Sequence, residues 1–232
     1  MIDLVRDDVD GVRRSTACLF ETLERLDDET AQQPSLLPGW TVAMLVTHVA
    51  RNADSHVNAC EGAMAGEVRR RYPSVEAREA GIAAGRGRTA ADVVADLRRS
   101  VERLDDAWEA MTDEAWLGQA ISGTGAPEPL VELPRGRWRE VELHHVDLGL
   151  GFDVEELDER FVAKELQLWM GRLESRLPPG TGARITASDT GRVWRAGGDR
   201  LTMQVEAPSR SLLAWLTGRR TEGFPEIGEW DW

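Results

Sequence analysis

The sequence is short of the residues on which several functions depend. Only two cysteines, Cys18 and Cys60, occur in 232 residues, far apart and each within an apolar helical pattern. That excludes a disulfide framework, a CxxC redox pair and a closed thiolate-rich metal site, and leaves both thiols as packing groups. Basic residues are outnumbered, 28 against 41 acidic, for a formal net charge of -13. Nucleic-acid binding needs a basic face to neutralise phosphate, so that role is disfavoured, and the acidic surface reads as a source of solubility. No uninterrupted apolar run approaches the roughly 18 residues that span a bilayer, and the opening MIDLVRDDVD carries charges where a secretory signal has its apolar core. The expectation is a cytoplasmic protein with no membrane partner, as a monomer or dimer. Internal repeats and low-complexity tracts are absent, and charge runs such as RDDVD and EVRRR read as solvated helix faces.

The apolar residues that are present recur at helical spacing in three stretches, and a fourth stretch also reads as a helix. Leu4 to Leu26 reads as a first amphipathic helix. After QQPSLLPGW, Thr41 stands at an N-cap position before a second helix from Val42 to about Ala65. A looser region over Tyr72 to Arg88 precedes Thr89 and Asp92, which open a third helix to about Met111. A Gly and Pro loop then leads to a fourth, from Arg135 to about Leu150. Four such helices predict a bundle over residues 1–153. Beyond it come a helix from about Leu157 to Leu177, three strand-like runs (ARITAS, RVWRAG, LTMQVEA) and a helix from Ser209 to Leu216. This predicts a small α+β domain over 154–232, so the fold class is mainly α with an α+β appendage.

Histidines are equally scarce, and their placement is informative. His48 and His56 share the second helix, His144 and His145 the fourth. In RGRWREVELHHVDLGLG, Glu140 and His144 lie four residues apart, about 40° apart on one helical face, and can reach one ion together. Glu142 and His145 form a similar pair on another face. Metal sites in ferritin-like bundles are assembled from inward Glu and His on facing helices, and His48 could supply the other half. Two imidazoles and one carboxylate leave zinc a fourth position for water or substrate, as in catalytic sites. The competing reading is that a helical Glu and His at this spacing form an ordinary surface pair. His56, about 80° around the helix from His48, reads as a partly exposed surface histidine. His145 and Asp147 read as packing residues at the bundle edge, with orientation of a metal ligand as the alternative. Trp40, Trp138 and Trp194 could wall a cleft but read first as core. A zinc peptidase is disfavoured because HExxH is absent and no Glu adjoins His48.

The segments LLPGWTVAMLVTHVARNAD and RWREVELHHVDLGLG, with RTAADVVADLRRSVERLDDAWEAM between them, resemble the mycothiol-dependent maleylpyruvate isomerases of actinobacteria, whose helical domain is a DinB-like four-helix bundle followed by a small C-terminal α/β domain. The resemblance covers about residues 5 to 153 well; beyond, it is mainly one of length and layout. It implies zinc ligands at His48, Glu140 and His144, and a functional arginine at Arg219, within the Gly218-Arg219 pair, with Arg220 beside it. It also implies mycothiol as the thiol cosubstrate. Its thiolate would add to the cis double bond of maleylpyruvate, allow rotation, and leave to give the trans product. Arg219 would pair with a substrate carboxylate or the developing enolate. DinB-like thiol S-transferases use the same triad to attach mycothiol or bacillithiol to other electrophiles, and a non-catalytic metal-binding module is a third reading; the metal itself could be another divalent ion.

Overall fold

In the computed structural model, which describes residues 2–227, the chain divides into two compact units, Met1–Phe152 and Asp153–Trp232. The first is a helical bundle. Its long members are α1 (Asp3–Leu23), α3 (Val42–Met64), α5 (Ala90–Ala110) and α7 (Leu133–Asp147), with short helices α2 (Asp28–Gln32), α4 (Val75–Ala83) and α6 (Asp113–Trp116) in the connections. Side-chain caps start several of them. Thr41 Oγ1 accepts from the Met44 amide and Thr89 Oγ1 from the Asp92 amide, each satisfying a donor the first turn leaves unpaired. Helix α3 packs between α5 and α7, and α1 lies along α7.

The shared core joins Leu19 and Leu23 of α1 to Leu45, Val46 and Val49 of α3, Val93 and Leu97 of α5, and Val141 of α7, all buried. Full burial of a Val or Leu side chain stabilises by roughly 1.5–3 kcal/mol. The approach of α1 to α7 depends on Gly11: a Cβ there would stand 2.5 Å from the Trp138 ring, so any side chain would force the two helices apart.

Several expectations need adjustment. The first helix stops at Leu23, short of Leu26, and the fourth begins at Leu133, with Pro134 in its first turn where a missing amide costs nothing, and ends at Asp147. The looser region contains α4, and the Gly and Pro loop forms a hairpin of β1 (Gln119–Ile121) and β2 (Pro127–Pro129). The run EVRRR is not a helix face. It follows α3 as irregular backbone, and Arg71 turns inward to Glu128 Oε2 at 3.2 Å and His56 Nε2 at 2.8 Å.

The second unit holds α8 (Glu159–Arg172), strands β3 (Thr181–Ala187), β4 (Val193–Gly197) and β5 (Arg200–Ala207), and α9 (Ser209–Leu216). The three-stranded sheet has the order β4-β3-β5, with β3 antiparallel to β4 and parallel to β5. The expected helix to Leu177 gives way after Arg172 to a 3-10 turn over Leu173–Arg176. The mainly helical bundle followed by a small α/β part is the expected fold class. Among the described residues no helix is long and apolar enough to cross a membrane.

Candidate metal centre

Cap and loop place His48. The segment before α3 is folded back on itself: the Ser35 amide donates to the Trp40 carbonyl at 2.9 Å, and the Val42 amide to Gln33 at 3.0 Å. The Leu36 amide then donates to the Asp147 carbonyl at 2.8 Å, tying this loop to the end of α7. With α3 started by Thr41, His48 points into the bundle two turns later, its ring edge-on to Trp40 with centroids 5.3 Å apart. From α7, Glu140 and His144 approach from the other side, and the His48 and His144 rings meet edge to face at 4.9 Å.

One ligand atom from each of His48, Glu140 and His144 lies within 4.8 Å of the others, and among the described residues this is the group of such side chains that could hold a metal. His48 Nε2 stands 2.9 Å and His144 Nε2 3.3 Å from the same oxygen, Glu140 Oε2. His144 Nδ1 is 2.8 Å from Asp147 Oδ2, and since a carboxylate only accepts, Nδ1 carries the proton. With Nδ1 already protonated, Nε2 of His144 faces the anionic Glu140 oxygen, so that a positive charge, a second proton or a metal ion, must lie between them. The donor set therefore fits a divalent ion, and Asp147 fixes the tautomer as the orienting partners of metal-bound histidines do. The site is open on one side: His48 keeps 3% of its side-chain surface exposed, but Glu140 keeps 31% and His144 17%, leaving room for an external ligand.

The electrostatics agree. Burial pushes His48 below the ordinary imidazole range, with Glu140 only partly offsetting it, which favours the uncharged ring that metal binding requires. For Glu140 burial opposes ionisation, but hydrogen bonds from His144 and His48 outweigh it and hold the carboxyl well below its usual range. His144 is raised: burial would lower it, yet Asp147 and Glu140 together prevail.

Other polar residues fall differently from expectation. His56 is not a surface histidine. It is fully buried, Nε2 accepts from Arg71 Nη2 at 2.8 Å, and its ring stands edge-on to Trp108. Two turns along α3 the helix is enclosed by the inward-turned Arg71 segment and α5, which no periodicity reveals. Asp147, expected to pack at the bundle edge, is instead the partner of His144. His145 does pack there: it stacks on Phe152 at 3.7 Å and meets Thr22 Oγ1 at 2.7 Å, while Glu142 accepts from Ser15 at 2.5 Å, so this second pair faces α1 and assembles no ion site. Trp138 is core, donating to Ser15 Oγ at 2.8 Å, and Trp194 lies under Arg192 in the second unit. Neither Cys18 nor Cys60 is in a disulfide, and burial pushes Cys60 up to about 12, so it stays protonated.

Arg137 escaped sequence reasoning altogether. It is 1% exposed, and its Nη1 donates to the Val49 carbonyl at 2.7 Å and to Asn52 Oδ1 at 2.9 Å, clamping α7 to α3 beside the ligands. Its position three residues before Glu140, on the same face of α7, was the available signal. Arg219 belongs to the second unit, half-buried after Gly218, with Nη1 donating to the Thr217 carbonyl at 3.0 Å. Arg220 beside it is engaged by Glu155 at 2.6 Å.

Two solved structures share this fold. A crystal structure of a mycothiol-dependent maleylpyruvate isomerase is 25% identical over 99% of this chain and 100% of its own, with a TM-score of 0.88. A histidine-to-alanine mutant of a mycothiol-dependent maleylpyruvate isomerase matches at 25% identity over 99% and 100%, with a TM-score of 0.87. No functionally curated protein matches significantly. Residues 12–149, which include the whole His48, Glu140 and His144 cluster, match the mycothiol maleylpyruvate isomerase N-terminal domain, and the chain belongs to that family.

Proposed function

We propose that this protein is a mycothiol-dependent maleylpyruvate isomerase in which His48, Glu140 and His144 hold one divalent ion, with zinc the best match to two imidazoles and a carboxylate. The observation that carries the reading is the convergence of three donors within 4.8 Å on an accessible face of the bundle. A bound ion of this kind lowers the pKa of a thiol and keeps it as the thiolate at neutral pH.

The chain's own residues prepare the site. Asp147 holds the His144 tautomer, Trp40 limits the rotation of His48, and Arg137 keeps α3 and α7 in register. Arg219 is assigned to the substrate: a guanidinium matches a carboxylate in two parallel hydrogen bonds and can stabilise negative charge that spreads onto the adjoining carbonyl. Addition of the thiol sulfur to the cis double bond makes one carbon–sulfur bond and leaves a single bond free to rotate. Breakage of the same carbon–sulfur bond after rotation gives fumarylpyruvate and returns the thiol, so no electrons are gained or lost. The protein is assigned to the cytoplasm, where the thiol cosubstrate is kept reduced.

Absorbance-monitored conversion of maleylpyruvate by the zinc-loaded protein, with and without mycothiol, tests this directly. Turnover that requires the thiol is the expected result. Metal-replete protein that is inert toward maleylpyruvate but consumes mycothiol with other electrophiles would place it with the S-transferases instead.

A further inference from the structure

Helices α1 and α5 leave a seam between them in the bundle. Arg13 bridges it at the surface, with Nε 3.0 Å from Asp105 Oδ1 and Nη2 3.0 Å from Glu109 Oε1. Beneath lies a cavity of about 200 Å³ with apolar walls from Val12, Phe20, Val101 and Leu104, and with Thr16, Trp108 and Arg137 also lining it.

These three polar residues have something in common. Thr16 Oγ1, Trp108 Nε1, and Nε and Nη2 of Arg137 are all buried and meet no hydrogen-bond partner among the described residues. Buried donors are ordinarily paired, because taking them out of water without a replacement acceptor is costly. Four such atoms on three residues that line one cavity are therefore a local pattern and not a scattered defect. Three of the four can only donate, and the fourth, a hydroxyl, can do so too. What would satisfy them is an acceptor, and the guanidinium specifies which kind. Arg137 spends Nη1 on Val49 and Asn52 and keeps Nε and Nη2, the two groups on one edge that match the two oxygens of a carboxylate. No carboxylate of the described residues forms an ion pair with Arg137, and the Asp105 carboxylate at the mouth is held by Arg13. The apolar walls and the volume suit a compact hydrocarbon body, since a cavity of about 150 Å³ admits benzene.

We propose that the seam between α1 and α5 is a second ligand site, distinct from the metal centre, for a small monocarboxylate with an apolar body, such as an aromatic acid. The carboxylate is received by Arg137 Nε and Nη2 with Trp108 Nε1 and Thr16, and the body lies between Phe20, Val101 and Leu104.

The test is calorimetric titration of the full-length, metal-loaded protein with benzoate, benzyl alcohol and inorganic phosphate, repeated on Val101→Phe, which fills the cavity, and Thr16→Val, which removes one hydroxyl. Benzoate is expected to saturate, benzyl alcohol to bind at least about tenfold more weakly for want of the charge, and phosphate not to bind in the seam. Val101→Phe should abolish the benzoate signal with metal content unchanged, and Thr16→Val should weaken it several-fold. Ala17→Leu, at the rim, is the second cavity-filling variant should Val101→Phe not fold. The proposal is overturned by the absence of benzoate binding, by equal affinity for benzyl alcohol, or by benzoate binding that survives filling of the cavity, which would place the anion at the metal. A benzoate-soaked crystal with only water on Arg137 would overturn it as well.

Discussion

The two units bury different things. In the bundle, α3 and α7 carry His48, Asn52, His56, Arg137, Glu142, His145 and Asp147 into the interior, each 3% exposed or less. In the second unit the buried residues are mostly Phe161, Leu166, Ile185, Leu212, Leu213 and Trp215, with Glu165, Ser211 and Thr217 as the polar minority. A polar strip through a helical core is costly unless its members find partners, and here most do so: Asp147 with His144, His144 and His48 with Glu140, and separately Arg137 with Asn52 and Arg71 with His56. The contrast coincides with the proposed metal centre. Chains depart from apolar cores at sites of function, and α3 and α7 depart from them together.

If that contrast is right, the bundle strip should govern function and the second unit's surface pairs should matter little. The largest effect is expected for His48→Ala and His144→Ala, which should each lose bound metal in elemental analysis and with it all thiol-dependent turnover. Stoichiometric zinc in both purified variants would sink the ligand assignment. Arg219→Ala is next, and it is the one place where the second unit should matter to chemistry. The variant should keep its metal while turnover falls about 10² to 10³-fold, the usual loss on removing one charge-stabilising group; unchanged steady-state kinetics would return Arg219 to a surface role.

A stability effect follows from His145. Burial lowers it from the ordinary 6.5 to about 4. As pH falls through 6.5 the unfolded chain takes up a proton that the folded chain refuses until about pH 4, so this contribution is present above pH 6.5 and is lost across that window. It should amount to ~3 kcal/mol. Urea unfolding at pH 7.5 and pH 5 should show a smaller difference for His145→Gln than for the parent chain; equal differences would mean that the ring is not shielded. Asp147→Asn should weaken metal binding about 10 to 100-fold in a competition titration with a chelator, through loss of the partner that fixes His144. The smallest effect is expected in the second unit, where the Arg220–Glu155 pair has both side chains at least 36% exposed. Glu155→Gln should cost less than about 1 kcal/mol in thermal unfolding, and a larger loss would narrow the contrast between the units.

Much of the fold could be read directly from the sequence, because Leu19, Val46 and Leu97 sit in periodic apolar patterns and Thr41 and Thr89 mark helix starts by their chemistry. What could not be read depends on how elements meet. Residues 75–83 gave no sign of a helix amid flanking glycine and proline, and the hairpin at 119–129 has strands of three residues, too short for alternation to register. The same limit applies at the site. Glu140 and His144 declare their shared face by spacing, whereas the burial of His56, the reach of Asp147 back to His144 and the inward turn of Arg71 and Arg137 depend on which helices lie alongside.

Asp147 holds two things at once, His144 through its carboxylate and the Leu36 amide through its carbonyl. Occupancy of the metal centre and the integrity of the loop before α3 are therefore linked equilibria, each favouring the other. Protection of the Leu36 amide against hydrogen exchange should rise when the site is filled and fall when a chelator empties it, so a single backbone proton reports whether the protein is loaded.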